Sequence, residues 1–210
     1  MSQLEVIEGV DGIKRCAWGA EPEIYRHYHD KEWGQPVIDD NRLFEKICLE
    51  GFQSGLSWLT ILKKRDHFRK VFKNFDFKKI AKFTPDDMEA LVHDPGIIRH
   101  RGKIEATVSN AKQALALVEE FGSIGAYIWQ WGDSAMQEHL ESKQHLPAST
   151  ETSKALSKDL KKRGWKFFGP TTAYAFMQAM GLINDHHPSC SCYSNIEQLR
   201  KNFVVPSKHS

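Results

Sequence analysis

At 210 residues the chain is long enough to bury a full hydrophobic core, as one large domain or two small ones. Apolar residues make up 40% and charged residues 27%, the balance of a soluble globular protein, and a formal charge of +2 is weak reason by itself to expect a polyanion partner. No run of eighteen apolar residues offers a membrane span, and the acidic opening "MSQLEVIEGVDG" lacks the apolar core of a secretory signal.

A cytosolic location is therefore expected. In that setting the four cysteines, Cys16, Cys48, Cys190 and Cys192, read as metal ligands or buried thiols rather than disulfides.

In chain order, the segment "CAWGAEPEIYRHYHDKEW" brings Trp18, Tyr25, Tyr28 and Trp33 close together. Such a cluster either packs a core or walls a pocket that stacks a planar ligand. "DDNRLFEKICLEG" reads as a helix with Asp39 to Asn41 as candidate N-caps. Leu43, Ile47 and Glu50 share one face, which aims a carboxylate at the interior. A buried glutamate is uncommon unless it is ion-paired, ligand-bound or functional.

The following "QSGLSW" ends in Trp58 and holds Gly55 and Leu56, either an ordinary turn or a small apolar wedge of the kind that unstacks DNA. "TPDDMEALV" has Thr84 as N-cap, Pro85 at the first helical position and Asp87 three residues after the cap. Ile104, Val108, Ala111, Leu115 and Val118 step along one helix face between 103 and 120. The polar segment 133–151, with Pro147, reads as a long loop. "ETSKALSKDLKKRG" reads as a helix closed by Gly164, and "GPTTAYAFMQAMG" as a helix opened by Pro170 and closed by Gly181. The final "VVPSKHS" reads as a frayed tail. With no alternating strand pairs and no repeat, the expected class is all-α, as one bundle or as two helical lobes around a cleft.

Basic residues cluster at "KKR" 63–65, "RHRGK" 99–103 and "KKRGWK" 161–166. In the last of these, a short turn between Gly164 and Gly169 separates two helices. Backbone N–H groups at the second helix's start, around Gly169, Thr171 and Thr172 and beside Lys166, suit a phosphate. The other reading is a helical hairpin packed into the core. Near the C-terminus, "NDHHPSCSCY" (184–193) concentrates two histidines, two cysteines and an aspartate, half of a metal site whose other half must lie elsewhere.

Taken together, "CAW", "YHDKEWG", "LFEKICLEGFQSGLSWLTILKKR", "GIIRHRGKIEA", "LSKDLKKRGWKFFGPTTAYAFMQAMGLINDH" and the final His-x-x-x-Cys resemble the DNA-3-methyladenine glycosylase I family. The resemblance runs from Cys16 to about Tyr193. It implies an N-terminal extension (1–15), a single glycosylase domain (16–193) and a tail (194–210). It also implies the helix-hairpin-helix glycosylase fold, with the hairpin at "RGWKFFGPTT", and one structural zinc ion held by Cys16, His29, His186 and Cys190, leaving His187 and Cys192 as bystanders. In the family pattern Glu50 and Trp58 contact the alkylated base; Tyr28 matches the same pocket, and Tyr25 and Trp18 match further aromatic positions.

The implied activity is excision of 3-methyladenine from duplex DNA by base flipping and hydrolysis of the N-glycosidic bond, without lyase chemistry. This is the first step of base excision repair, in the cytoplasm of a bacterium, by a monomer that also binds free 3-methyladenine as product. Asp185 reads as structural, orienting or capping at the zinc site, rather than as a catalytic aspartate. The rivals are a zinc hydrolase, disfavoured because four protein ligands leave no open position for water, and a non-catalytic, zinc-stapled helical DNA-binding module.

Overall fold

The structure, a computed structural model, describes residues 5–141 and 146–206. The helices are α1 (Glu23–Lys31), α2 (Asp40–Gln53), α3 (Trp58–Val71), α4 (Phe77–Ile80), α5 (Pro85–His93), α6 (Arg101–Phe121), α7 (Ile124–Trp129), α8 (Gly132–Glu141), α9 (Glu151–Lys162), α10 (Pro170–Ala179) and α11 (Tyr193–Lys201). The chain is thus mostly helical, and among the described residues no helix is long and apolar enough to cross a membrane.

The expected helix starts follow from local hydrogen bonding. Asp39 caps α2 by accepting from Arg42 N at 2.8 Å. Thr84 and Asp87 form a reciprocal capping box at α5. Gly164 and Gly181 both adopt positive φ, +88° and +79°, just past the ends of α9 and α10, where a side chain at Cβ would be strained.

α2 is the structural centre. It packs against α3, α6, α7 and α10, and every residue from Leu43 to Phe52 is buried. The stripe of Leu43, Ile47 and Glu50 is therefore only one side of a helix enclosed nearly all round. Its apolar side chains join Phe68, Phe72, Phe75 and Ile104 in one continuous core.

Two expectations fail. β1 (Val6–Glu8) and β2 (Lys14–Cys16) form an antiparallel ribbon with Val6 opposite Cys16, although no strand pair was expected. Strands of three residues are too short for alternation to register in sequence. The segment 133–151 is not one long loop, because α8 occupies its first part. α8 is positioned by tertiary contacts: Ala135 is buried in the core, and Glu138 accepts from the backbone N–H of Glu151 and Thr152 at the start of α9. Residues 142–145 of that segment lie outside those described.

At the C-terminal end, α11 begins at Tyr193, buries Ile196, and Arg200 donates to the Leu182 carbonyl at 2.6 Å. Val204 to Pro206 have no regular structure, and 207–210 lie outside the described residues.

Candidate functional site

Glu50 is 6% exposed and faces a cleft of about 250 Å³ at the junction of α1, α2, α3 and α10. Trp18, Tyr25, Tyr28 and Trp58 line it, so the four aromatic residues that the resemblance matched to the base pocket surround the predicted carboxylate. Trp33, Lys46, Gln53, Ala175 and Gln178 complete the walls. The rings meet at steep angles: Trp18 lies edge-on to Tyr25 with centroids 6.0 Å apart, and Tyr28 is tilted against Trp58 at 5.5 Å.

Glu50 is not free. Lys46, one turn earlier on α2, places Nζ 2.7 Å from Glu50 Oε1. The same ammonium donates to Tyr28 Oη at 2.9 Å and lies 3.5 Å from the centre of the Trp58 ring. Burial favours loss of the Lys46 proton, but Glu50 and Tyr28 outweigh it and hold the pKa above the usual lysine value. Burial raises the phenol pKa of Tyr28 and of Tyr25. The Trp58 indole N–H is buried with no hydrogen-bond partner among the described residues.

Lys46 is the functional-site residue that sequence reasoning missed. A charged residue off the recognised apolar stripe reads as solvated, and only the all-round burial of α2 places it inside.

The second site lies directly behind this wall. Cys16, His29, His186 and Cys190 are all buried, and each offers one ligand atom within 4.8 Å of the others. Cys190 Sγ is 3.6 Å from both His29 Nε2 and His186 Nδ1, and Cys16 Sγ is 3.9 Å from His186 Nδ1. These spacings match the edges of a small tetrahedron around one cation, and the two-sulfur, two-nitrogen set suits a borderline-soft metal. Hydrogen bonds from Cys16 and Cys192, and then from the two imidazoles, hold the Cys190 thiol far below the usual thiol range.

The surrounding bonds fix the ligands. His29 Nδ1 meets Asp30 Oδ1 at 2.8 Å, His186 Nε2 meets the Trp33 carbonyl at 3.1 Å, and His187 N donates to Cys16 Sγ at 3.4 Å. Asp30 is gripped in turn by Arg15, whose Nη2 is 2.8 Å away. His186 and Cys190 converge because 187–190 folds into a compact turn, with Cys190 N bonded to His187 O.

His187 Nδ1 accepts from Ser189 N within that turn. Cys192 lies 3.9 Å from His29 Nδ1, the ring nitrogen that meets Asp30, whereas Cys190 faces Nε2. Asp185, expected to orient the metal site, accepts from Tyr174 Oη and Gln178 Nε2 of α10, each at 2.7 Å; the carboxylate that reaches His29 is Asp30. The cluster and the cleft share a wall, since Trp18 packs edge-on against His29 with centroids 5.3 Å apart.

The turn between α9 and α10 is anchored from below. Asn110 donates to the Lys166 carbonyl at 3.0 Å and accepts from Lys166 N at 2.9 Å, and Ser157 Oγ donates to Phe168 O at 2.8 Å. The Lys166 side chain is left at the surface. Gly169 is the N-cap of α10, with no side-chain cap and open space around the position of a Cβ. Thr171 is exposed and Thr172 half-buried at the first turn. Gly55, at φ +82°, and Leu56, 43% exposed, form the turn between α2 and α3. Lys103 braces that turn by donating to Phe52 O at 2.9 Å and Ser54 O at 2.7 Å.

Residues 18–193 match the methyladenine glycosylase family model. The chain is 51% identical to a DNA-3-methyladenine glycosylase of Haemophilus influenzae over 179 residues, which is 85% of this chain and 97% of that protein. It is also similar to a crystal structure of 3-methyladenine DNA glycosylase I (TM-score 0.78, 48% identity, covering 85% of this chain and 99% of that one). A third likeness is to a variant of such an enzyme in complex with 3-methyladenine (TM-score 0.78, 36% identity, 85% and 97% covered). The chain belongs to the methyladenine glycosylase family.

Proposed function

We propose that this protein excises 3-methyladenine from alkylated DNA, as its relatives' names indicate for them. The observation that carries the reading is a buried carboxylate, Glu50, at the centre of an aromatic-walled cleft. Methylation at N3 gives the adenine ring a positive charge. Tryptophan and tyrosine faces attract such a ring, and Glu50 compensates its charge and accepts from the N6 amino edge. The base must leave the duplex to reach this cleft. Water then attacks C1′ while the C1′–N9 bond breaks. The bonding electrons pass to the ring and neutralise it, so the leaving base needs no proton.

DNA is held by features that make no contact with base edges. The uncapped start of α10, with the Thr171 and Thr172 N–H groups and Lys166 beside it, receives a backbone phosphate in the manner of a helix-hairpin-helix motif. Gly55 and Leu56 present the wedge that fills the gap left by the flipped nucleotide.

Cys16, His29, His186 and Cys190 hold one zinc ion with a structural role. Four protein ligands fill a tetrahedral shell, so the ion ties β2 and α1 to the 186–190 turn and keeps no position open for water. The protein works in the cytoplasm, as a monomer. Incubation with methylated DNA and analysis of the released bases tests the activity: 3-methyladenine accumulates above the spontaneous rate, and its failure to do so removes the reading.

A further inference from the structure

The three groups assigned above to the alkylated base are already occupied by a cation of the protein's own. Lys46 Nζ sits 2.7 Å from Glu50 Oε1, 2.9 Å from Tyr28 Oη and 3.5 Å from the centre of the Trp58 ring. Lys46 is 6% exposed, so this ammonium is enclosed within the wall of the cleft. A base that reaches Glu50 Oε1 and lies on the Trp58 face that Lys46 covers must take the position the ammonium holds.

We propose that Lys46 is a specificity-determining residue: a resident cation that only a cationic base displaces efficiently from Glu50 and Trp58. The inference rests on the base-excision reading of the cleft. A neutral adenine offers Glu50 an amino N–H and offers Trp58 an uncharged ring. Each is weaker than the charge-assisted contact it would replace. An N3-alkylated adenine still joined to its sugar brings a full positive charge and exchanges cation for cation.

Lys46 also borders a small cavity in which Glu32 and Glu45 are already paired with Arg42, Arg65 and Arg69, so Glu50 is the carboxylate left to its ammonium. Once the glycosidic bond has broken, the base is neutral, and the ammonium returns to Glu50. The same residue therefore rejects undamaged adenine and helps expel the product.

The test measures binding of two small probes that cannot be cleaved: neutral adenine and the permanent cation 3,9-dimethyladenine. The wild-type protein binds the cation more tightly than adenine. Lys46→Met, which keeps the length and removes the charge, reduces that preference about tenfold or more, chiefly by tightening adenine binding; this is the worth of one charge-assisted hydrogen bond. Lys46→Arg retains the preference. Lys46→Gln gives the same readout as Lys46→Met if the latter does not fold.

An unchanged preference in a folded, uncharged variant overturns the inference, and so does loss of both probes' binding. Release of 3-methyladenine by the wild-type protein is assayed in parallel. An enzyme that is active but whose preference ignores Lys46 refutes this inference alone, whereas an enzyme that releases no base refutes the proposed function.

Discussion

Gly51 lies directly under the backbone of Phe167: a Cβ at Gly51 would stand 3.2 Å from the Phe167 carbonyl oxygen and 3.3 Å from its Cβ. This approach couples the turn before α10 to the helix that carries Glu50. Phe167 is itself held at φ +56°, and its exposed ring reaches His100. Gly51→Val pushes the α9–α10 turn off α2 and costs about 1–3 kcal/mol through overpacking. Thermal unfolding reads the loss. Excision falls by a larger factor than binding of free 3-methyladenine, because the DNA-facing turn moves while the cleft keeps its walls. An equal fall in both would mean that the disturbance acts through the cleft rather than through the α9–α10 turn.

The Lys46–Glu50 pair predicts a non-additive pair of substitutions. Glu50→Gln leaves a buried ammonium without its carboxylate and destabilises the fold by about 3 kcal/mol, besides weakening 3-methyladenine binding. Lys46→Met added to it removes the orphaned charge and restores most of the stability, but not the binding. A double-mutant cycle on unfolding free energies reads the coupling. Additive losses would show that the two side chains are not paired in solution.

These residues also mark how far the sequence was legible. Glu50 could be read because a carboxylate on the face of Leu43 and Ile47 contradicts an apolar stripe. Lys46 could not, since nothing local distinguishes it from a solvated lysine; Tyr28 of α1 and Trp58 of α3, which meet its ammonium, lie far from it in sequence. The capping of α2 and α5 was visible because caps are local hydrogen bonds between near neighbours. β1 and β2 were invisible for the opposite reason, each being too short to establish a period. The adjacency of Asp185 to His186 in sequence suggested a role at the metal site. The hydrogen bonds of Asp185 to Tyr174 and Gln178 depend on α10, which adjacency does not reveal.

Arg15 is expected to support metal binding without touching the metal. It is 3% exposed and grips Asp30, which orients His29 through Nδ1. Arg15→Met frees Asp30 and loosens the imidazole, and is expected to weaken affinity for the proposed zinc ion about 10–100-fold, as loss of an outer-shell partner does. Competition with a chromophoric chelator measures it. Unchanged affinity would assign the orientation of His29 to packing against Trp18 and Trp33 instead.

Chelation separates a structural from a catalytic metal. Removing the proposed zinc ion from the wild-type protein is expected to lower the unfolding temperature, because its proposed ligands join β2 and α1 to a turn far away in sequence. Cys190→Ala has the same low unfolding temperature and no further response to chelator. At a temperature where the metal-free protein is still folded, 3-methyladenine release persists. A folded, metal-free protein with no residual activity would make the ion part of the chemistry.

Lys166 gives the cleanest electrostatic prediction. Its backbone is locked to Asn110 by two hydrogen bonds, so truncation of the exposed side chain leaves the turn in place. Lys166→Ala removes the proposed phosphate contact. The slope of log K against log salt then falls in magnitude by about 0.9, and affinity drops by a similar factor on every duplex sequence. Binding of free 3-methyladenine does not change, since the cleft is lined by other residues. Titrations of duplex DNA at several salt concentrations measure the slope. The same slope in variant and wild type would move the phosphate contact away from the start of α10, to the basic residues at 63–65 or 99–103.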